Sequence, residues 1–438
     1  MKDPKTANIV DNNQNPDFYD YWHPWFDFSL KYGGALYEAA LKSLATFFDA
    51  RNAPIQKIEN SMRASFDSSL RQRLGEKDIT SSIARLVESQ LGMETKGSDF
   101  LIAYSDYFSK ISQTFQPIRG TINRTPSEII PMGGRFHLHH YVSKNEKKHK
   151  IPILMVYSLI NRHYILDLLP EVSVINNLLK QGFDVYATDW GTPTFSDREM
   201  SLENYAHEYV EKAVDKIKEI TSVDKVTMFG YCWGGIFALI YSCIHPENVK
   251  NLVLHATPTD IEGKETVVER WTTAIDTEKL VQTFGNVPGF LLNLAFVLRN
   301  PVETMLKYWR YFNEPRSKSE MLQFFSIELW LYDSIPIIGR VYQDIVNQIY
   351  KKNLLIKNKM TVGNIVIDLK NISMPLLSII GTKDDLVPPE SSKKIMEIVP
   401  SPDKELIEFN TGHVGLCVSQ IAHEKLWPEV GQWLAKRS

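Results

Sequence analysis

The sequence predicts an α/β fold on a mostly parallel sheet, and three observations carry that reading. From about residue 130 onward, short apolar runs alternate with amphipathic helical stretches, the mark of parallel strands joined by crossover helices. One strand-to-helix junction, KVTMFGYCWGGIFALIYSCI, crowds glycines around a cysteine. The interval from about 259 to 372 breaks the alternation with helical, aromatic sequence, which reads as a cap inserted late in the sheet.

The elements follow in order. Residues 1–120 read as a helical N-terminal extension. The stretches YGGALYEAALKSLATFFDAR, QKIENSMRASFDSSLRQRL and SSIARLVESQL place apolar residues at helical spacing with polar breaks between them. Ahead of them lie Phe18, Tyr19, Tyr21, Trp22, Trp25, Phe26 and Phe28, rings that either pack this helical layer or form a docking surface. Residues 121–438 form the second region. Its strand candidates are 152–160, 183–190, 225–231, 249–256, 375–382 and 404–410. Between the second and third, Leu202, Tyr205, Tyr209, Ala213 and Ile217 share one stripe of a helix that covers the sheet.

Bulk composition narrows the functional classes. The 438 residues are 43% apolar and 23% charged, with 22 Gly and 22 Pro, which excludes collagen-like, disordered and disulfide-scaffold chains. Lys and Arg number 49 and Asp and Glu 52, so the formal charge is −3 and no positive field holds a polyanion; nucleic acid is not an expected partner. Three cysteines, Cys232, Cys243 and Cys417, are too few for a disulfide framework and fit a reducing compartment. The opening MKDPKTANIVDNNQNP carries no apolar run of the kind a secretory leader needs, so none is expected. The longest apolar stretch, 287–298, is too short to span a bilayer and carries Asn293, so a cytoplasmic protein without a membrane span is expected.

The chemistry centres on Cys232. Gly230, Gly234 and Gly235 surround it in a G-x-C-x-G-G arrangement that follows a strand and opens a helix, the nucleophile elbow of the α/β-hydrolase fold with sulfur in place of oxygen. Such a turn strains the nucleophile's backbone and leaves no room for a Cβ beside it. It aims the Trp233 N–H at a developing oxyanion. Two further pieces fall in the order this fold requires, an acid and then a histidine. Asp384, just past an apolar strand, can orient an imidazole; its neighbour Asp385 is the alternative on local sequence. His413, past the last strand, can take the proton of Cys232. Cys243 and Cys417 lack such a setting and read as packing residues. His137 and His139 share a strand face but have no third ligand at a recognisable spacing, so no metal site is expected. His163, His245 and His255 carry no catalytic mark. A thioester on cysteine keeps acyl-transfer potential that a serine ester would lose, so a thiol nucleophile favours thioester substrates.

From about residue 120 to the C-terminus the chain resembles the poly(3-hydroxyalkanoate) synthases, in particular the short catalytic subunits of the two-component kinds. The resemblance rests on NRHYILDLLPEVSV from Asn161, DWGTP at Asp189 to Pro193, GYCWGG around Cys232, the stretch Ile367 to Pro375, KDDLVPP around Asp384 and TGHVGL around His413. It implies that Cys232 carries the growing chain, that His413 is the general base, that Asp384 rather than Asp385 is its partner, and that the N–H groups of Ile160 and Trp233 form the oxyanion hole. It also implies (3R)-hydroxyacyl-CoA as substrate, CoA as leaving group and no cofactor. A homodimer, a possible second synthase subunit and a position at the surface of polyester granules are expected on the same grounds. Asp385 stands where the family often has His, and the N-terminal extension is longer than in the short subunits. A dienelactone-hydrolase-like cysteine hydrolase shares the G-Y-C-x-G-G elbow but is much shorter and lacks so large a cap; a non-catalytic granule-associated protein is the third possibility.

Overall fold

The computed structural model describes residues 124–142, 148–261, 266–299, 307 and 317–438. The N-terminal extension and its aromatic cluster lie outside the described residues. The described residues from 124 to 296 and from 317 to 438 belong to one compact unit, which holds the whole of the eight-stranded sheet.

The strands of the main sheet are β1 (Ser127–Pro131), β2 (His137–Tyr141), β3 (Ile153–Val156), β4 (Val185–Asp189), β5 (Val226–Tyr231), β6 (Val249–His255), β7 (Leu376–Gly381) and β8 (Lys404–Phe409). They form one eight-stranded sheet in the order β1-β2-β4-β3-β5-β6-β7-β8. The pairs from β4 to β8 are parallel, while β1 with β2 and β2 with β4 are antiparallel. Strands β3, β5 and β7 are buried along their full length. That is why they appear in sequence as continuous apolar runs rather than as an alternation: parallel strands are covered on both faces.

Helices cover those faces. Helix α1 (Val174–Lys180) is capped by Ser173, whose side chain accepts from the Asn176 N–H. Helix α2 (Val210–Thr221) is entered through a π-helical turn, Asn204–Tyr209, and buries Val210, Ala213, Val214 and Ile217. Helix α3 (Trp233–Ile244) is buried on nearly every side. Its sequence is accordingly apolar all round, as in a helix sandwiched between a sheet and further layers.

Between β6 and β7 the described chain is mainly helical, with α4 (Val267–Ala274), α5 (Thr277–Phe284), α6 (Gly289–Arg299), α7 (Lys318–Leu331) and α8 (Gly339–Ile345), followed by a short antiparallel pair, Thr361–Val362 with Ile365–Val366. Helix α7 starts from a reciprocal capping box between Ser317 and Glu320. Its C-terminal end is tied to the loop after β3 by Asn161. That residue adopts φ 61°, a left-handed conformation Asn tolerates, and its side-chain amide donates to the carbonyls of Trp330 and Leu331 at 3.0 and 2.9 Å. The Trp330 indole N–H returns a bond to the Arg162 carbonyl at 2.8 Å. Helix α9 (Trp427–Ala435) closes the chain.

Candidate active site

Cys232 sits at the head of α3 with φ 54° and ψ −123°, a conformation L-residues rarely adopt. Its own N–H donates to the His255 carbonyl at 2.9 Å and its carbonyl accepts from Gly235, so the strained turn is held from both sides. The three glycines are each explained by a close approach. A Cβ on Gly230 would meet Gly235 Cα at 2.3 Å, one on Gly234 the Val156 carbonyl oxygen at 2.1 Å, and one on Gly235 the Thr257 hydroxyl at 1.8 Å. Val156 is the end of β3 and cannot swing aside. Gly234→Ala is therefore expected to destabilise the fold by about 3 kcal/mol, the upper range for forcing a methyl into a packed interior; urea unfolding of the variant measures it, and a loss below about 0.5 kcal/mol would contradict this account of the elbow.

His413 and Asp384 meet beside it. The His413 Nδ1 lies 2.6 Å from Asp384 Oδ2, and both residues are buried. Asp384 Oδ1 accepts from the N–H groups of Leu386 and Val387 at 2.9 and 2.8 Å, so the loop that carries the carboxylate also aims it. Asp385 is exposed, and of the two adjacent acids it is Asp384 that the structure pairs with the imidazole. Burial by itself would lower the His413 pKa; the Asp384 charge and the nearby Cys232 sulfur overcome it and raise the value to about 10. With Nδ1 on Asp384, Nε2 is the nitrogen left for the sulfur.

The two amides expected to hold an oxyanion stand differently. Trp233 is the first residue of α3, where an N–H has no intrahelical acceptor. Its indole N–H donates to the Tyr350 hydroxyl at 2.9 Å, which fixes the ring against the chain between β6 and β7. The Ile160 N–H is engaged within its own loop, donating to the Ser158 hydroxyl at 3.2 Å. To serve an oxyanion it exchanges that hydroxyl for the substrate oxygen.

Several residues, some of them beside the site and others remote from it, carried no signal in the sequence. His255 is fully buried and both of its ring nitrogens lack a hydrogen-bond partner; burial first, then the His413 charge, lowers its pKa to about 3 and keeps it neutral. The Tyr231 ring lies between His255 and His413, with centroids at 4.7 and 5.2 Å. Cys243 and Cys417 are buried, and burial pushes both thiols far up. His139, for which the sequence offers no third ligand, meets His163 and Asp189: its Nε2 lies 3.6 Å from Asp189 Oδ2, and His163 Nδ1 lies 3.8 Å from Asp189 Oδ1. Those partners sit on β4 and on the loop after β3, contacts that only the folded sheet creates.

Taken together, the strand order, the positive-φ cysteine and the acid–histidine pair define the class: an α/β hydrolase fold. A family model described as "alpha/beta hydrolase fold" matches residues 151–419, and one described as "Poly-beta-hydroxybutyrate polymerase (PhaC) N-terminus" matches residues 85–178. The chain is similar to the poly(3-hydroxyalkanoate) polymerase subunit PhaC of Haloferax mediterranei, with 40% identity over 73% of this chain and 65% of that one. The protein of the same name from Synechocystis sp. is 33% identical over 80% of this chain and 95% of that one. The one from Allochromatium vinosum is 36% identical over 66% and 81%. The chain belongs to the poly(3-hydroxyalkanoate) polymerase PhaC family. It spans about two thirds of the Haloferax relative's length and nearly all of the Synechocystis one.

Proposed function

We propose that the chain polymerises (3R)-hydroxyacyl-CoA, such as 3-hydroxybutyryl-CoA, into polyester with release of CoA. The observation that carries this is a cysteine at a strained strand-to-helix turn beside a buried histidine whose Nδ1 lies 2.6 Å from a carboxylate. His413 takes the Cys232 proton, and an imidazole with raised proton affinity is the stronger acceptor for it. The sulfur attacks the thioester carbonyl, the oxyanion is met by the Trp233 and Ile160 N–H groups, and CoA leaves as its thiol with the proton from His413. The hydroxyl of the next unit then gives its proton to His413 and attacks the Cys232 thioester. That forms one ester bond and frees the sulfur. No step calls for a cofactor.

The helical interval of about 259–372 acts as a cap that keeps water from the acyl-enzyme. Its ties to the site support that role: Tyr350 to the Trp233 indole, and Asn161 to the end of α7. Among the described residues no helix is long and apolar enough to cross a membrane. We place the working enzyme in the cytoplasm at the granule surface, as a homodimer and with a second synthase subunit as a partner; residues 1–120 are the stretch of chain available for those contacts.

The test is CoA release from (3R)-3-hydroxybutyryl-CoA by the purified full-length chain, read with a thiol reagent added to quenched aliquots while turbidity is recorded. Release with rising turbidity and an insoluble polyester is expected. Release that yields only free hydroxybutyrate would replace the polymerase with a hydrolase, and silence that persists with a partner subunit added would remove the catalytic reading.

A further inference from the structure

A second cluster of metal-ligating side chains lies far from Cys232. His207 stands in the π-helical turn that leads into α2, Glu211 in the first turn of α2, and His245 at the C-terminal end of α3. The two imidazoles face each other through the same nitrogen, Nε2 to Nε2 at 3.0 Å. The Glu211 carboxylate addresses both, with Oε2 3.9 Å from His207 Nε2 and Oε1 3.6 Å from His245 Nε2. A tetrahedral zinc ion with bonds of about 2.0 to 2.2 Å sets its ligand atoms about 3.3 Å apart, and the three measured separations bracket that value.

The surroundings favour a cation. On the far side of the His245 ring, Nδ1 lies 3.2 Å from Glu247 Oε1, the carboxylate–histidine arrangement that fixes a metal-binding tautomer with Nε2 presented. Asp215 adds a further negative charge at the neighbouring Tyr241. Of the cations on this face, the Lys218 ammonium is turned to the Asn248 side-chain oxygen at 2.9 Å and the Lys212 ammonium lies over the Tyr209 ring. The ligand side chains are 18%, 42% and 22% exposed, enough for water to complete the coordination. By contrast, the guanidinium groups of Arg124 and Arg162 act on His163 in the other cluster, His139 with His163 and Asp189, and oppose a bound cation there.

We propose that His207, Glu211 and His245 bind a divalent transition metal of the zinc class and clamp the entry of α2 to the far end of α3. Two imidazoles and one carboxylate suit that ion. Helix α3 runs 12 residues between Cys232 and His245, which at 1.5 Å per residue is about 18 Å, so the site steadies the helix behind the nucleophile without touching the chemistry.

The experiment is a calorimetric titration of the metal-stripped full-length chain with Zn²⁺ in a Cys232→Ala background, which removes the active-site thiol, together with thermal melting with and without Zn²⁺. One ion per chain and a raised melting temperature are expected. His207→Gln and His245→Gln each weaken binding at least tenfold and remove the rise, Glu247→Gln weakens it by about tenfold, and His163→Gln changes neither. With Cys232 present, His245→Gln leaves the rate of CoA release unchanged. The proposal is overturned by no binding to the parent chain, by binding that survives both histidine variants, or by binding that is lost in His163→Gln instead.

Discussion

Cys232→Ala is expected to abolish CoA release, with a loss of at least about 10⁴-fold, because no other group can carry the acyl chain. The remaining cysteines are poor substitutes: burial pushes the thiols of Cys243 and Cys417 far up and keeps both protonated, even though Cys417 lies close enough to feel the Cys232 sulfur. The fold should survive the change. Alanine removes one atom from a site already 7% exposed and demands no new room at the turn, so the melting temperature should move by only a few degrees. Alkylation supplies the complementary readout: a brief pulse of iodoacetamide should label Cys232 alone and silence the enzyme in proportion. Turnover retained in the alanine variant would place the acyl group on some other residue and end the assignment.

Much of this site was legible in the sequence because the relevant constraints are local. The elbow is a backbone problem solved within six residues, so its glycines announce it before any tertiary contact forms. The central strands were legible for a related reason, since burial on both faces turns each into an unbroken apolar run. The edge was harder. Strand β1, Ser127–Pro131, has no fully buried residue and therefore none of the patterning that reveals a strand; only its antiparallel pairing to β2 makes it one.

What stayed hidden depends on residues far apart in the chain. Asn161 reads as part of a motif, but its work is to hold backbone carbonyls 169 and 170 positions away. The choice between Asp384 and Asp385 was ambiguous from local sequence and is decided in the structure by which of them faces the imidazole, a matter of the Leu386 and Val387 amides. His207 and His245 come from two helix ends, 38 positions apart, that only the packing of α2 against α3 brings together. The family resemblance points to the Ile160 N–H as an oxyanion donor, whereas its engagement by the Ser158 hydroxyl is visible only in the fold.

Asp384→Asn should be the second most damaging change, and for a reason that its geometry dictates. The wild-type carboxylate gives one oxygen to two loop amides and the other to His413 Nδ1 at 2.6 Å. In the asparagine variant the side-chain oxygen stays with the amides, and the NH₂ group faces Nδ1. The ring must then accept at Nδ1 and carry its proton on Nε2, the nitrogen that has to receive the Cys232 proton. The rate of CoA release should fall by about 10³- to 10⁴-fold, the scale on which the same exchange acts in a serine-protease triad, while substrate binding changes little. Stability gives an independent check. The folded His413 pKa of about 10 lies above the 6.5 of an unperturbed imidazole, so the pair stabilises the fold fully below pH 6.5 and loses that contribution as pH rises through 10. Urea unfolding should therefore show the variant less stable than wild type at pH 6, with the gap closing toward pH 10. A gap independent of pH would assign the loss to packing rather than to the buried ion pair. A variant that keeps a tenth of wild-type activity would show that His413 finds its tautomer without Asp384.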